Sequence, residues 1–113
     1  MSALPSRPSK KPRDPVIYKK VETIKSEVDK LISKMQKQTS YSPTRHDIEK
    51  YAIQINDVVM RNREKVRQFE SYLKAAIIDL TEVPEMHPQM QRISFLAALK
   101  DASQKIQLFL DCC

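Results

Sequence analysis

Apolar residues recur every three to four positions along three long stretches of this chain, which contains no glycine. In the first stretch they follow one another at intervals of four and three: Ile17, Val21, Ile24, Val28, Leu31 and Met35. This spacing places them on one side of an α-helix, and such a side is stable only when it is buried against another helix. The second stretch, 48–80, and the third, 95–113, have the same period. The pattern predicts an all-α protein.

The first and third helices have recognisable limits. Asp14 is suited to cap the free amides of a helix that starts at Pro15, where the missing N–H costs nothing. Lysines gather towards the end of this helix, where cations suit the helix dipole, and polar residues then break the pattern. Pro88 is suited to the first position of the last helix. We expect helices over 15–37 and 88–111.

The middle stretch predicts one long helix. Either Ser42 or Thr44 is suited to cap its start, and Thr44 with Asp47 resembles a capping box. The pattern then continues without proline until Pro84. We expect a single helix over 44–81, which at about 1.5 Å per residue would be more than about 50 Å long. Such a helix must be flanked lengthwise by its two shorter neighbours or pair with another chain. With short connections, the prediction for residues 15–113 is an antiparallel up-down-up three-helix bundle with one long central helix.

The first fourteen residues differ in composition from the rest of the chain. They hold three prolines, and four basic residues against one acidic residue, in a protein whose net charge is +6. Because this composition offers almost nothing to bury, we expect residues 1–14 to form a disordered basic tail. Its run SKKPR suits a nuclear-import signal or a contact with an anionic partner, and it equally suits a tail that only promotes solubility.

Catalytic chemistry has little support in the sequence. The only histidines, His46 and His87, lie in or beside the predicted hinges, and neither has a nucleophile or carboxylate at a spacing that would form a triad. Cys112 and Cys113 are adjacent, which does not suit a structural zinc site. Aromatic residues make up 6% and charged residues 30%, as is typical of long-helix proteins. We expect no enzymatic activity, no metal and no cofactor.

The cellular compartment is indicated by two features of the sequence. No signal peptide or membrane span is evident, so we expect no membrane contact. Adjacent cysteines rarely form a disulfide with each other, and the chain has no third cysteine. We therefore expect a reducing compartment, which means a cytoplasmic or nuclear protein.

Two polar features of the middle stretch each have two interpretations. Asn62 interrupts the apolar stripe; it either fixes helix register or oligomeric state, or lies at the edge of a stripe that rotates locally. Arg61, Arg63, Lys65 and Arg67 form a basic band, which is either a solvated face or a nucleic-acid site. Because no aromatic residues are interleaved with these cations, we favour the solvated face.

The end of the middle stretch is the most unusual part of the pattern. Residues 73–80 are apolar nearly all round, which is typical of a helix that is sandwiched between two neighbours or docks a partner. Asp79 is the single charge there, and Arg92, Lys100 and Gln107 lie on the polar side of the last helix. These four residues form a candidate partner-binding face, and the alternative is an ordinary solvated surface.

Three segments of the chain resemble BAG domains. PVIYKKVETIKSEVDKLISKM resembles the first helix of that family, YLKAAIIDLTEV the end of the second, and QRISFLAALKDASQKIQLFLDCC the third. The resemblance covers about residues 15–113. It implies a three-helix co-chaperone whose last two helices bind the ATPase domain of the 70-kDa heat-shock chaperone and favour nucleotide release.

The family's contact residues match this chain in part. The resemblance implies acidic contacts on the second helix, where Asp79 matches, and Arg and Gln on the third, where Gln107 in KIQLFL matches the glutamine. Counting back eight positions from Gln107 reaches Leu99 and not an arginine. If Arg92 is the equivalent arginine, Lys100 replaces the glutamine.

The sequence leaves three hypotheses of function. The first is a helical protein–protein interaction module, in its most specific form a BAG-like co-chaperone. The second is a self-associating coiled-coil scaffold or complex subunit, in which the long helix pairs with a copy or with another chain. The third is a basic nuclear protein that contacts nucleic acid through its tail, and nucleic acid ranks last among the expected partners.

Overall fold

The computed structural model describes residues 15–67 and 69–112, apart from the side chain of Lys65. These residues form five helices: α1 Pro15–Lys37, α2 Arg45–Arg61, the single-turn α3 Arg63–Val66, α4 Glu70–Thr81 and α5 Pro88–Cys112. No strand occurs in this part of the chain, and the all-α prediction is confirmed. The predicted tail, residues 1–14, lies outside the described residues and so does the cap expected from Asp14.

The four long helices pack in the order α1, α2, α4 and α5, and α5 returns to pack against α1. Arg45 at the start of α2 donates a hydrogen bond to the carbonyl of Val83, just past the end of α4, so these two helices are antiparallel. Ser103, late in α5, bonds to Asp29 of α1, while Arg92, early in α5, reaches past the end of α1. The described residues therefore form an up-down-up-down bundle.

The structure divides the predicted helix over 44–81, so the single long central helix is a wrong prediction and the bundle has four long helices instead of three. A continuous helix would have extended well beyond α1, which has 23 residues, and left part of its apolar stripe uncovered. Because the chain folds back between residues 62 and 69, Leu73, Ala76 and Leu80 become fully buried on α4. The apolar end of the middle stretch is sandwiched between α2 and α5.

Asn62 marks the point where α2 ends. Its backbone N–H donates to the carbonyls of Val58 and Val59, and its side-chain amide donates to Val58 at 2.9 Å. These bonds satisfy carbonyls that the end of a helix leaves without partners. With φ at −130° and ψ at 36°, the Asn62 backbone has left the helical range. Asn62 is half-buried, at the edge of the stripe.

The core is built from the predicted heptad stripes. All six stripe residues of α1, from Ile17 to Met35, are buried. On α5, Phe95, Leu99, Ile106 and Phe109 are almost completely enclosed. Of the apolar residues near the fold-back, Val66 is buried but Phe69 is only half-buried and packs against the outside of the core. Full burial of Phe69, which one continuous stripe requires, is not observed.

The predicted capping box at the start of α2 is confirmed. The Thr44 hydroxyl accepts a hydrogen bond from the backbone N–H of Asp47, and the Asp47 carboxylate accepts one from the backbone N–H of Thr44, both at 3.1 Å. The backbone N–H of Thr44 stabilises the charged carboxylate and holds the pKa of Asp47 below its ordinary value. Two amides that the helix itself cannot satisfy are thereby paired.

Candidate functional site

Asp79, the first residue of the predicted partner-binding face, forms an ion pair within the bundle. Its carboxylate accepts a hydrogen bond from the Lys105 ammonium group of α5 at 2.5 Å. The Asp79 side chain is 19% exposed and that of Lys105 is 35% exposed. The pair joins α4 to α5, and the Asp79 side chain remains partly accessible to solvent.

Arg92, the second predicted contact, binds the end of α1. Its guanidinium group donates to the carbonyl of Tyr41 at 2.8 Å, to that of Gln38 at 3.5 Å, and to that of Met35. The Met35 carbonyl belongs to the last turn of α1, where helical carbonyls lack intrahelical partners. Arg92 therefore caps α1 and holds the α1–α2 connection against α5.

The absence of glycine explains why arginine has this task. Helices commonly end with a glycine in the left-handed conformation, whose N–H groups then bond to the last carbonyls. No described residue of this chain has a positive φ. At the α4–α5 connection, Arg45 donates to the carbonyl of Val83 at 2.6 Å, lies 3.6 Å from the carboxylate of Glu85, and packs over the ring of Phe95. Two arginines thus stabilise the connections at one end of the bundle.

Lys100 and Gln107, the other two predicted contacts, are exposed on α5. They are seven positions apart and so share one side of that helix. Gln107 donates to Asp111 at 2.7 Å and borders a groove of about 500 Å³ between α1 and α5. Asp79 belongs to α4, and its partner Lys105 lies on the opposite side of α5 from Gln107. The structure therefore brings Lys100 and Gln107 together but separates them from Asp79.

An exposed apolar surface across α2 and α4 was not predicted from the sequence. We call it the α2–α4 face and define it by Ile53, Met60 and Ile78, which are 66%, 54% and 51% exposed. Ile53 and Met60 are seven positions apart and share one side of α2. The Arg45–Val83 contact sets the level of the two helices. Ile53 lies eight residues along α2 from Arg45. Eight residues back along α4 from Val83 is position 75, which is within one turn of Ile78.

Two neighbouring contacts fix the direction of the α2–α4 face. Burial raises the pKa of Tyr51, and the charge of Glu27 on α1 raises it further, so Tyr51 lies on the side of α2 next to α1. Ile53 lies about 160° around the helix from Tyr51 and points away from α1. On α4, Ile78 is turned about 100° from Asp79, which marks the side next to α5. Both isoleucines therefore lie on the outer side of the α2–α4 pair.

The remaining candidate residues have local roles or lie at the surface. Arg61 is paired with Asp57 at 2.7 Å, and Arg63 is exposed at the fold-back, so the basic band lies at the end of α2 and not along one helix. The His87 ring accepts a hydrogen bond from the backbone N–H of Gln89 in the first turn of α5.

Metal ligands and membrane-spanning helices were both sought within the described ranges. No three His, Cys, Asp or Glu side chains converge there as a metal site would require. None of the helices in 15–67 and 69–112 combines the length and the apolar character needed to cross a membrane. Cys113 lies outside the described residues.

The chain matches no family model, no curated protein and no solved structure. The resemblance to BAG domains therefore depends on the three sequence segments alone.

Proposed function

We propose that this chain is a non-enzymatic helical module that binds another protein through the α2–α4 face. One observation carries the proposal: Ile53, Met60 and Ile78, on two adjacent helices, are each more than half exposed. Large apolar side chains that are about half exposed are unfavourable in water by roughly 1–2 kcal/mol for each side chain that a partner would bury. Exposed apolar surface on neighbouring helices is a common mark of protein-binding sites.

In its more specific form, the proposal makes the chain a BAG-like co-chaperone of the cytoplasm or nucleus. Its partner is then the ATPase domain of the 70-kDa heat-shock chaperone, and its effect is faster nucleotide release. The sequence resemblance supports this form, together with the exposure of Lys100 and Gln107 on α5. Arg92 and Asp79 have partners on other elements of the bundle, whereas Gln107 bonds only to Asp111 on its own helix and Lys100 forms no ion pair among the described residues.

The alternative is a scaffold subunit that associates with a second copy of itself. The same exposed apolar side chains of α2 and α4 favour it, because antiparallel helix pairs bury such residues when two copies pack face to face. In this alternative the α2–α4 face takes the place of the long helix in the scaffold hypothesis.

A direct binding measurement separates these functions. Calorimetry of the full chain against the purified chaperone ATPase domain should show binding, and stopped-flow fluorescence should show faster release of labelled nucleotide. Replacing Ile53 and Ile78 together by serine should weaken binding by about tenfold or more, because central apolar anchors contribute most of the affinity of an interface. Both residues are exposed, so the melting temperature should change little.

A second double variant, with Lys100 and Gln107 replaced by alanine, tests the contacts implied by the resemblance. Loss of binding in this variant alone would place the docking site on α5 and overturn the role of the α2–α4 face. If the chaperone domain neither binds nor releases nucleotide faster, the co-chaperone form fails. Sedimentation equilibrium then decides the alternative: a dimer that the Ile53→Ser and Ile78→Ser changes dissociate favours the scaffold, and a monomer contradicts it.

A further inference from the structure

The excess of positive over negative charge in this protein lies entirely in its first third. Residues 1–37 contain ten Lys or Arg and four Asp or Glu, whereas residues 38–113 contain ten of each. The whole net charge of +6 therefore belongs to α1 and the segment before it, and the other three long helices are electrically balanced. When one helix of an otherwise neutral bundle is basic, the electric field attracts anionic partners to the surface of that helix.

Four of the six lysines of α1 lie along one line on its outer side, and the other two, Lys20 and Lys25, lie away from it. Six exposed residues follow one another at steps of four and three along this side: Lys19, Thr23, Ser26, Lys30, Lys34 and Lys37. Most of them stand two positions after a buried stripe residue, which is 200° around the helix and so directed away from the core. We call these six residues the lysine line. It is about 27 Å long at 1.5 Å per residue.

The lysine line contains no acidic residue, and most of its cations are not neutralised. Lys19, Lys30 and Lys37 are paired with no carboxylate among the described residues, and Lys34 lies over the ring of Tyr41 at 4.2 Å. The acidic residues of α1 lie beside the line: Glu22 and Glu27 on its two flanks, and Asp29 paired with Lys25 at 2.7 Å. The four lysines and the Ser26 hydroxyl form a row of hydrogen-bond donors, whereas the Thr23 hydroxyl donates to the carbonyl of Lys19 at 2.8 Å.

We propose that the lysine line binds the phosphate backbone of a nucleic-acid duplex without reading its bases. Lysine is a point-charge donor that suits phosphate oxygens, and contacts to phosphate carry no sequence information and need no aromatic side chains. A line of about 27 Å spans about eight base pairs at 3.4 Å per step. The surface is independent of the α2–α4 face, so a nucleic acid and a protein partner can occupy the bundle together.

Two other anionic partners fit this surface less well. Protein interfaces are depleted in lysine and have an apolar centre, and the lysine line contains no apolar residue. A helix that binds a membrane surface inserts its apolar face, but the apolar face of α1 is buried in the bundle from Ile17 to Met35. A phosphate backbone requires only regularly spaced cations.

The test is the salt dependence of binding to a labelled DNA duplex of mixed sequence, measured by fluorescence anisotropy with the full chain. The logarithm of the association constant falls as the logarithm of the salt concentration rises. Replacing Lys19, Lys30 and Lys37 together by glutamine should make this slope less negative by about 3. The same change should weaken binding by at least about tenfold at about 50 mM salt. Circular dichroism should show unchanged helix content, because all three residues are exposed.

The matched control removes the same charge elsewhere. Replacing Arg63, Arg67 and Lys74 by glutamine also lowers the net charge to +3, and should change the slope by less than about 1. Equal losses in both variants would show that only total charge matters, and would overturn the proposal. Unchanged binding after the α1 replacements, or no binding to the duplex at low salt, would overturn it as well. Tighter binding to polyglutamate or to phosphatidylserine vesicles than to the duplex would assign the line to an acidic protein or to a membrane instead.

Discussion

Replacing Phe109 by alanine should lower the free energy of unfolding by about 3–5 kcal/mol, whereas replacing Phe69 by alanine should lower it by less than about 2 kcal/mol. Phe109 is completely enclosed between the helices, so its removal leaves a cavity as well as losing apolar burial. Phe69 lies half-buried at the fold-back, where solvent or a small shift of the backbone can fill the space. Urea denaturation measures both values when it is followed by circular dichroism at 222 nm, where α-helices give a strong signal.

The contrast between these two phenylalanines distinguishes the observed bundle from the one that the sequence predicts. In a single helix over 44–81, Phe69 belongs to the central stripe and its loss should cost as much as that of Phe109. Equal losses would therefore contradict the fold-back. If the Phe109→Ala variant does not fold, Phe109→Leu against Phe69→Leu gives the same comparison with smaller changes in volume.

Replacing Arg92 by alanine should lower the free energy of unfolding by about 2–3 kcal/mol, a large effect for a residue at the surface. The carbonyls of Met35, Gln38 and Tyr41 lose a charged donor, and the connection between α1 and α2 loses its attachment to α5. Thermal and urea denaturation give the change, and hydrogen exchange should show faster opening of the last turn of α1.

Two further variants test whether the guanidinium geometry is responsible. Arg92→Lys should recover less than half of the loss, because an ammonium group cannot direct several N–H donors to carbonyls in fixed directions. Lys100→Ala, on the same helix and without a partner in the described structure, should change stability by less than about 0.5 kcal/mol. A loss for Arg92→Ala no larger than that for Lys100→Ala would show that Arg92 does not cap α1.

Local signals in the sequence were sufficient to predict the helices at the two ends of the chain. The stripe from Ile17 to Met35 predicted the buried side of α1, Pro15 and the polar residues after Lys37 predicted its limits, and Pro88 predicted the start of α5. Thr44 and Asp47 predicted the start of α2 for a reason that lies within four residues. These features depend on periodicity, prolines and caps, which act over one or two turns.

The fold-back was not predictable in the same way. No proline or glycine lies between residues 62 and 69, and the apolar period continues through them. Only Asn62, at a position where the stripe calls for an apolar residue, marked the break, and it fitted two interpretations. The decision to end α2 there depends on the burial that Leu73 and Leu80 gain against α2 and α5, which involves contacts between distant parts of the chain.

The candidate site was predicted only in part, for a related reason. The pattern correctly placed Lys100 and Gln107 on the polar side of the last helix. It had no means to show that Arg92 reaches a carbonyl 51 positions earlier in the chain, or that Asp79 is paired with Lys105. Ile53 and Ile78 become neighbours only when α2 and α4 lie side by side.

The most direct test of this account is the distance between residues 53 and 78, because the α2–α4 face exists only if the middle stretch folds back. Spin labels attached to Ile53→Cys and Ile78→Cys, with Cys112 and Cys113 changed to serine, report it by double electron–electron resonance. Adjacent helix axes lie 8–10 Å apart, so with the label arms we expect a distance of about 10–25 Å. A distance of about 38 Å, the length of 25 residues in one straight helix, would contradict both the fold-back and the proposed docking surface.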